Sequence, residues 1–179
     1  MSSFVFILLL QAKLNNNHLF LRDFMHNQQL DLPVFDYRFK EEGGKKCLFD
    51  VFRKKFVVLT PEEWVRQHLL QHLWSNLGFP MAFISVEKSF LVDGLQKRYD
   101  AVIYNRDFKP LLLIECKSPA VAVDQVVFDQ AARYNRSLQV PFMLVSNGLT
   151  HVLAQVDAAA GRYVFANGLL SYDALIAAQ

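Results

Sequence analysis

The sequence predicts an α/β domain, a central mixed β-sheet flanked by helices, with an extra β-hairpin on the N-terminal side and another on the C-terminal side. Three observations carry this. Tyr99–Tyr104 and Leu111–Lys117 are branched or aromatic runs on either side of the polar, proline-ended break Asn105-Arg106-Asp107-Phe108-Lys109-Pro110, the pattern of a β-hairpin. A helical stretch from Asp124 to about Leu138 stands between the second of those runs and the apolar run Pro141–Ser146, so a crossover joins two parallel strands. Thr60-Pro61-Glu62-Glu63 opens a further helix with a capping threonine, a proline at the first helical position and a capping-box glutamate.

In chain order, the apolar run Phe4–Leu10 is too short to span a bilayer and lacks the flanks of a signal peptide. Gln11–Gln29 contains Asn15-Asn16-Asn17, mixed charges and no clear period. Residues 1–24 are therefore expected to be a non-native or disordered leader, with Met25 as the working start. Residues 25–59 form a strand extension, 60–150 the core, and 151–179 a hairpin and helix of the same domain.

Tyr37–Lys40 and Cys47–Phe52 flank Gly43-Gly44, a pair that accepts positive φ and so suits a hairpin turn. Arg53-Lys54-Lys55 leads to a third strand, Phe56–Leu59; the triplet reads either as a solvated turn or as a phosphate-facing patch. The Thr60 helix runs to about Asn76 and stops at Gly78, with Val65, Leu69, Leu70 and Leu73 as its buried stripe. Glu62 borders that stripe and Glu63 is turned further round; cap and dipole chemistry alone would account for both. His68 and His72 have i, i+4 spacing but no evident third ligand, and read as ordinary helix-surface residues. Phe83–Val92 reads as one strand, and Asp93-Gly94 as the turn into Gln96–Tyr99, with Glu87 and Arg98 placed to form an ion pair. In the later helix Val127, Phe128, Ala131 and Tyr134 make an apolar face, and Gln130 lies one turn before Tyr134. His151–Val156 and Arg162–Phe165 form a hairpin over Ala158–Gly161, and Tyr172–Ala178 a short helix.

Composition narrows the function classes. With 53% apolar and 20% charged residues the 179-residue chain is globular, and a net charge of +2 leaves any nucleic-acid binding to local clustering. Two cysteines, Cys47 and Cys116, suggest neither a disulfide framework nor a zinc site, and a reducing cytoplasm is the expected compartment.

The chemistry gathers at the end of the central hairpin. If Tyr104 and Leu111 are the last paired residues, Asp100 lies across from Glu115, with Cβ atoms about 5 Å apart. Lys117 shares the face of Glu115, and Cys116 points the other way. Like charges facing across a ladder destabilise it unless something neutralises them. A salt bridge to Lys117, or polar ends that simply reach solvent, would serve. So would Mg²⁺, which favours one or two carboxylates plus water and phosphate oxygens.

The order helix, strand, hairpin, helix, strand, with Asp100, fourteen residues and then Glu115-Cys116-Lys117, resembles the PD-(D/E)XK nuclease superfamily. Arg98–Tyr104, Leu113-Ile114-Glu115-Cys116-Lys117-Ser118-Pro119, Gln130-x-x-x-Tyr134 and Leu144-Val145-Ser146-Asn147-Gly148 resemble the N-terminal nuclease domain of type I restriction enzyme R subunits, over roughly residues 60–150. The resemblance implies a restriction-endonuclease-like core and a metal-dependent DNA endonuclease. It makes Asp100 and Glu115 ligands of Mg²⁺, with Mn²⁺ as a substitute, and Lys117 the catalytic lysine. Gln130 and Tyr134 become auxiliary residues that contact DNA or orient the site. The first-helix carboxylate maps to Glu62, with Glu63 as the alternative. Phosphate contacts would come from Arg53, Lys54, Lys55, Arg98, Arg133 and Arg136. Implied partners are DNA, a separate helicase or restriction-modification subunit, and a second copy in a homodimer; no membrane is implied. Two features depart from the family pattern: Tyr99 stands where proline is common, and 179 residues leave no room for the translocase that follows in those subunits. A catalytically silent nuclease-fold module that binds DNA or protein is the competing expectation.

Overall fold

The computed structural model describes residues 29–92 and 95–179. The expected leader, 1–24, and the Asp93-Gly94 turn lie outside the described residues. Strands β1 (Phe39–Glu42), β2 (Lys45–Asp50) and β3 (Lys55–Val58) form an antiparallel sheet in that order. Its first turn is Gly43-Gly44, both at positive φ (56° and 72°), where a Cβ would be strained. This makes a three-stranded unit of the expected hairpin plus strand.

Helix α1 (Pro61–Leu77) starts as the sequence foretells: the Thr60 side chain accepts from the Glu63 N–H at 3.1 Å, and Gly78 closes the helix in the left-handed region. Beyond it come a 3₁₀ turn (Met81–Phe83), β4 (Ile84–Val86), β5 (Ser89–Val92), β6 (Leu95–Arg98), β7 (Ala101–Tyr104), β8 (Pro110–Cys116), α2 (Gln125–Leu138), β9 (Phe142–Ser146), β10 (His151–Asp157), β11 (Arg162–Phe165) and α3 (Tyr172–Ala177). Six of these strands make one mixed sheet in the order β11-β10-β9-β8-β7-β4, with β8 and β9 parallel and the other neighbours antiparallel. The C-terminal hairpin is thus the edge of the central sheet and not an appendage.

The apolar run 83–92 is not one strand. It breaks at Glu87, whose φ is +50°, and β5 pairs with β6 as a separate two-stranded ribbon. The central hairpin also differs at its tip. Tyr104 pairs with Pro110, and a bulge between Ile103 and Tyr104 absorbs the extra residue, so Tyr104 and Leu111 are not partners. Below the bulge Ile103↔Leu112, Val102↔Leu113 and Ala101↔Ile114 follow the expected register.

Strand alternation sorts the core into two layers. Ala101, Ile103, Leu112, Ile114, Cys116, Phe142 and Leu144 pack with Val65, Leu69, Leu70 and Leu73 of α1 and with Tyr172 and Leu175 of α3. Val102, Leu113, Met143 and Val145 pack with Phe128 and Ala131 of α2. Helices α1 and α2 therefore cover opposite faces. Each fully buried leucine or isoleucine here contributes about 1.5–3 kcal/mol relative to exposure.

Helix α1 is buried at every position from Glu63 to Leu70, not along one stripe. Tyr37 and Phe35 close over its outer side, their rings 4.9 and 6.1 Å from the His68 ring, and Trp64 lies 4.0 Å from it. His68 is accordingly a core residue, 3% exposed, with Nδ1 donating to the Trp64 carbonyl at 3.0 Å. Burial drives its pKa down to about 4, so it is neutral. The surface reading of His68 fails because the N-terminal segment supplies a second wall to the helix.

Candidate active site

Asp100 occupies a bend just before β7, one step past the last ladder pair, and Glu115 is the penultimate residue of β8. Both acids thus stand where the apolar ladder ends. Glu115 is 7% exposed, and its Oε1 accepts from Lys117 Nζ at 2.9 Å. Cys116, between them, is fully buried on the α1 side of the sheet. The alternation expected for Glu115, Cys116 and Lys117 holds in space.

Asp100 is gripped through both oxygens. Its Oδ2 accepts the Cys116 backbone N–H at 2.6 Å, and its Oδ1 accepts Arg66 Nη1 at 2.8 Å. Burial raises the Asp100 pKa, and the Cys116 N–H, Arg66 and Lys117 hold the rise back. Glu115 is pushed up to about 7, first by burial and then by the charge on Asp100, against the pull of Lys117. Glu62, exposed in the first turn of α1, is raised by partial burial and by Asp100, and lowered by Lys117 and Arg66. Burial works against the charge on Lys117, but Glu115, Glu62 and Asp100 lift its pKa above the ordinary lysine value. Asp100, Glu115, Glu62 and Lys117 therefore share one electrostatic neighbourhood, although they come from three separate elements.

Glu63, one residue on, has a different environment. It is 5% exposed and accepts from Arg53 Nη2 at 2.7 Å, from Gln67 Nε2 at 2.8 Å and from Arg66 Nη2. Arg53 also binds Asp50 and Glu87, and Arg66 reaches Glu87 Oε1 at 2.9 Å. Arg53 is therefore engaged by three carboxylates, with a side chain 11% exposed, and is withdrawn from the set of phosphate-binding cations expected from the sequence. Arg98 is 62% exposed and touches Glu87 Oε1 at 3.3 Å, the ion pair foreseen from their spacing. Arg98, Lys55 and Glu62 line one open cleft of about 390 Å³ between β3 and the start of α1.

Of the remaining candidates, Gln130 is half-buried and Arg133 exposed on α2, the helix covering the face shared by Glu115 and Leu113. Tyr134 lies one turn beyond Gln130; its side chain, like that of Arg136, is outside the described set.

The sequence reading missed Arg66 and Asp50 as partners of the site, and weighed Glu63 only as the alternative to Glu62, not as the hub of a buried ion network. Glu63 and Arg66 have i, i+3 spacing, a visible signal, but such a pair on a helix ordinarily marks a solvated surface. It is buried here because Arg53 of the β2–β3 turn, Glu87 and Asp100 close on it from three distant segments.

The carboxylate donors suit a hard cation. Asp100 and Glu115 offer oxygens only, and the repulsion that raises Glu115 is what a divalent ion would relieve. Among the described residues no group of three or more His, Cys, Asp or Glu side chains is arranged to hold a metal. Mg²⁺ needs only one or two protein carboxylates, with water and phosphate completing its shell, so the pair fits.

A family model described as Type I restriction enzyme R protein N terminus (HSDR_N) matches residues 61–169, more than half of the chain. Among solved structures the chain is similar to the fragment structure of a putative HsdR subunit of a type I restriction enzyme from Vibrio vulnificus YJ016. The TM-score is 0.51 with 24% identity, over 66% of this chain and 25% of that one. That likeness is one of fold, and the match spans 25% of the length of that fragment's chain. No curated protein matches the chain.

Proposed function

The chain belongs to the family of type I restriction enzyme R protein N termini, and from that premise we propose that it is a metal-dependent DNA endonuclease that hydrolyses phosphodiester bonds. The observation that carries the proposal is the convergence at the end of the central hairpin of Asp100, whose Oδ2 takes the Cys116 N–H at 2.6 Å, with Glu115 and Lys117, paired at 2.9 Å on either side of Cys116. Glu62 acts on the same group electrostatically. Asp100 and Glu115 would hold Mg²⁺, or Mn²⁺ in its place, and the ion when bound supplies Lewis-acid charge at the scissile phosphate and acidifies the attacking water.

The chain's own groups do the rest. Lys117, its ammonium kept charged by three carboxylates, stabilises negative charge that develops on the nucleophile or the phosphate. Glu62, the exposed acid, orients water on the approach side. Arg98 and Arg133, exposed cations, draw the DNA backbone in, and Gln130 and Tyr134 on α2 are the auxiliary pair. Phosphate contacts position a duplex without reading it, so sequence preference is weak. Within a restriction system a separate helicase or modification subunit would supply DNA movement and choice of site.

Supercoiled plasmid incubated with the protein tests this. Nicking is expected with Mg²⁺ or Mn²⁺, stopped by chelation, and lost in Asp100→Ala and Lys117→Ala proteins of unchanged circular dichroism. Cleavage that survives either substitution defeats the assignment. A second reading, a nuclease-fold module that binds DNA or protein without cutting, draws on the lack of a three-ligand cluster among the described residues. It is recognised by salt-sensitive DNA binding with no cleavage under any divalent ion.

A further inference from the structure

We propose that Arg66 is a positioning residue for the metal-binding carboxylate of Asp100, held in place by a buried ion network that begins in the N-terminal sheet. The inference rests on the nuclease reading above and extends it to a residue outside the four-group cluster.

The geometry is specific. The Arg66 guanidinium is 6% exposed and spreads its two terminal nitrogens over three carboxylates: Nη1 on Asp100 at 2.8 Å, Nη2 on Glu63 and, at 2.9 Å, on Glu87. With the Cys116 N–H on the other oxygen, Asp100 loses its freedom to rotate. Arg66 cannot itself wander, because Glu63 is fixed by Arg53 and Gln67, and Glu87 by Arg53 and Arg98. Arg53 is anchored to Asp50, which is fully buried and also accepts the Phe52 and Arg53 backbone N–H groups at 2.8 and 2.9 Å.

Two features argue that this network does more than hold the fold. Buried ion pairs repay little of their desolvation, and Arg66 Nε is left buried without a hydrogen-bond partner, so the set is weak as a stabilising device. Glu87, further, sits at φ +50°, a conformation unfavourable for a non-glycine residue that persists only where its surroundings over-determine it. Here its N–H donates to the Asp100 carbonyl at 3.0 Å while its carboxylate takes three arginines. The strained residue and the network grip Asp100 from backbone and side chain together. A planar guanidinium can bridge three acids at once, whereas an ammonium is a point charge.

Arg66→Lys in the full chain keeps the charge and removes the fork, so electrostatics are conserved and geometry is not. We expect Mn²⁺ affinity, read by electron paramagnetic resonance without DNA, to fall about 10-fold. With plasmid, kcat should fall about 30-fold at unchanged KM, because both terminal nitrogens of Arg66, at the wall of the cleft, are already held by carboxylates. Should Arg66→Lys fail to fold, Glu63→Asp, which keeps charge and shortens reach, carries the same test with the same sign. A folded variant that binds Mn²⁺ and cuts like the parent overturns the positioning role alone. A parent protein that neither binds Mn²⁺ nor nicks plasmid sinks the nuclease reading and this inference with it.

Discussion

Two charged clusters lie side by side at the start of α1, and they are built on opposite principles. In the inner one, Arg53 and Arg66 are surrounded by Asp50, Glu63 and Glu87, and the contacts among them are dense and buried. In the outer one, Glu115, Asp100 and Glu62 outnumber Lys117, and Glu115 is driven up to about 7 by its surroundings. The inner cluster sets two arginines, with Arg98 at its rim, against three acids; the outer one sets a single lysine, with a share of Arg66, against three. Glu62 and Glu63 are neighbours in sequence and fall on either side of this line. A densely paired network suits support, and one short of cations suits a ligand that brings its own charge.

The contrast can be broken most directly by neutralising one acid in each cluster. Glu63→Gln strips a shared counter-charge from two buried arginines and should cost about 3–5 kcal/mol of stability in urea denaturation. Glu115→Gln removes repulsion against Asp100 and should raise stability by about 1 kcal/mol while cleavage drops more than about 100-fold. If both substitutions destabilise alike, the two clusters are not different in kind.

A pH series sharpens the same contrast by isolating a group outside both clusters. The folded pKa of His68, about 4, lies below its unfolded value near 6.5. Its contribution is therefore fully present above pH 6.5 and is lost as pH falls toward 4, for a total of about 3 kcal/mol. The parent should lose stability relative to His68→Leu as pH falls through that window, read from the two denaturation midpoints; a difference that stays constant contradicts a neutral, buried His68. The smallest effect belongs to Arg98, the exposed cation at the border of the two clusters. Arg98→Ala should weaken DNA binding a few-fold and reduce the slope of log affinity against log salt by about one, measured by fluorescence anisotropy. An unchanged slope would leave Arg98 as a partner of Glu87 only.

Much of the fold was legible because local chemistry spoke for it. Thr60 and Gly78 bracket α1, Gly43-Gly44 turns β1 into β2, and the helix between β8 and β9 forces their parallel pairing. Misreadings arose where distant segments intervened. The run 83–92 has no sequence mark for the break at Glu87, because that kink is held by Arg53, Arg66 and Arg98 from three other segments. His68 looked exposed because helical periodicity describes one buried face, and α1 has two. Arg53 read as a free cation for the same kind of reason: three acids close on it from β2, α1 and the turn after β4.

What the sequence determined alone was the order of elements and the placing of Asp100, Glu115 and Lys117 at one end of a hairpin, since strand periodicity of two and turn chemistry are short-range. What only the tertiary structure decided was the company those groups keep. Whether a carboxylate meets an arginine, a backbone N–H or another carboxylate depends on segments far apart in the chain, as Arg66 and Asp100 are at a separation of 34 residues. Charge interactions in a buried site follow distance in space, and no local pattern along the chain encodes it.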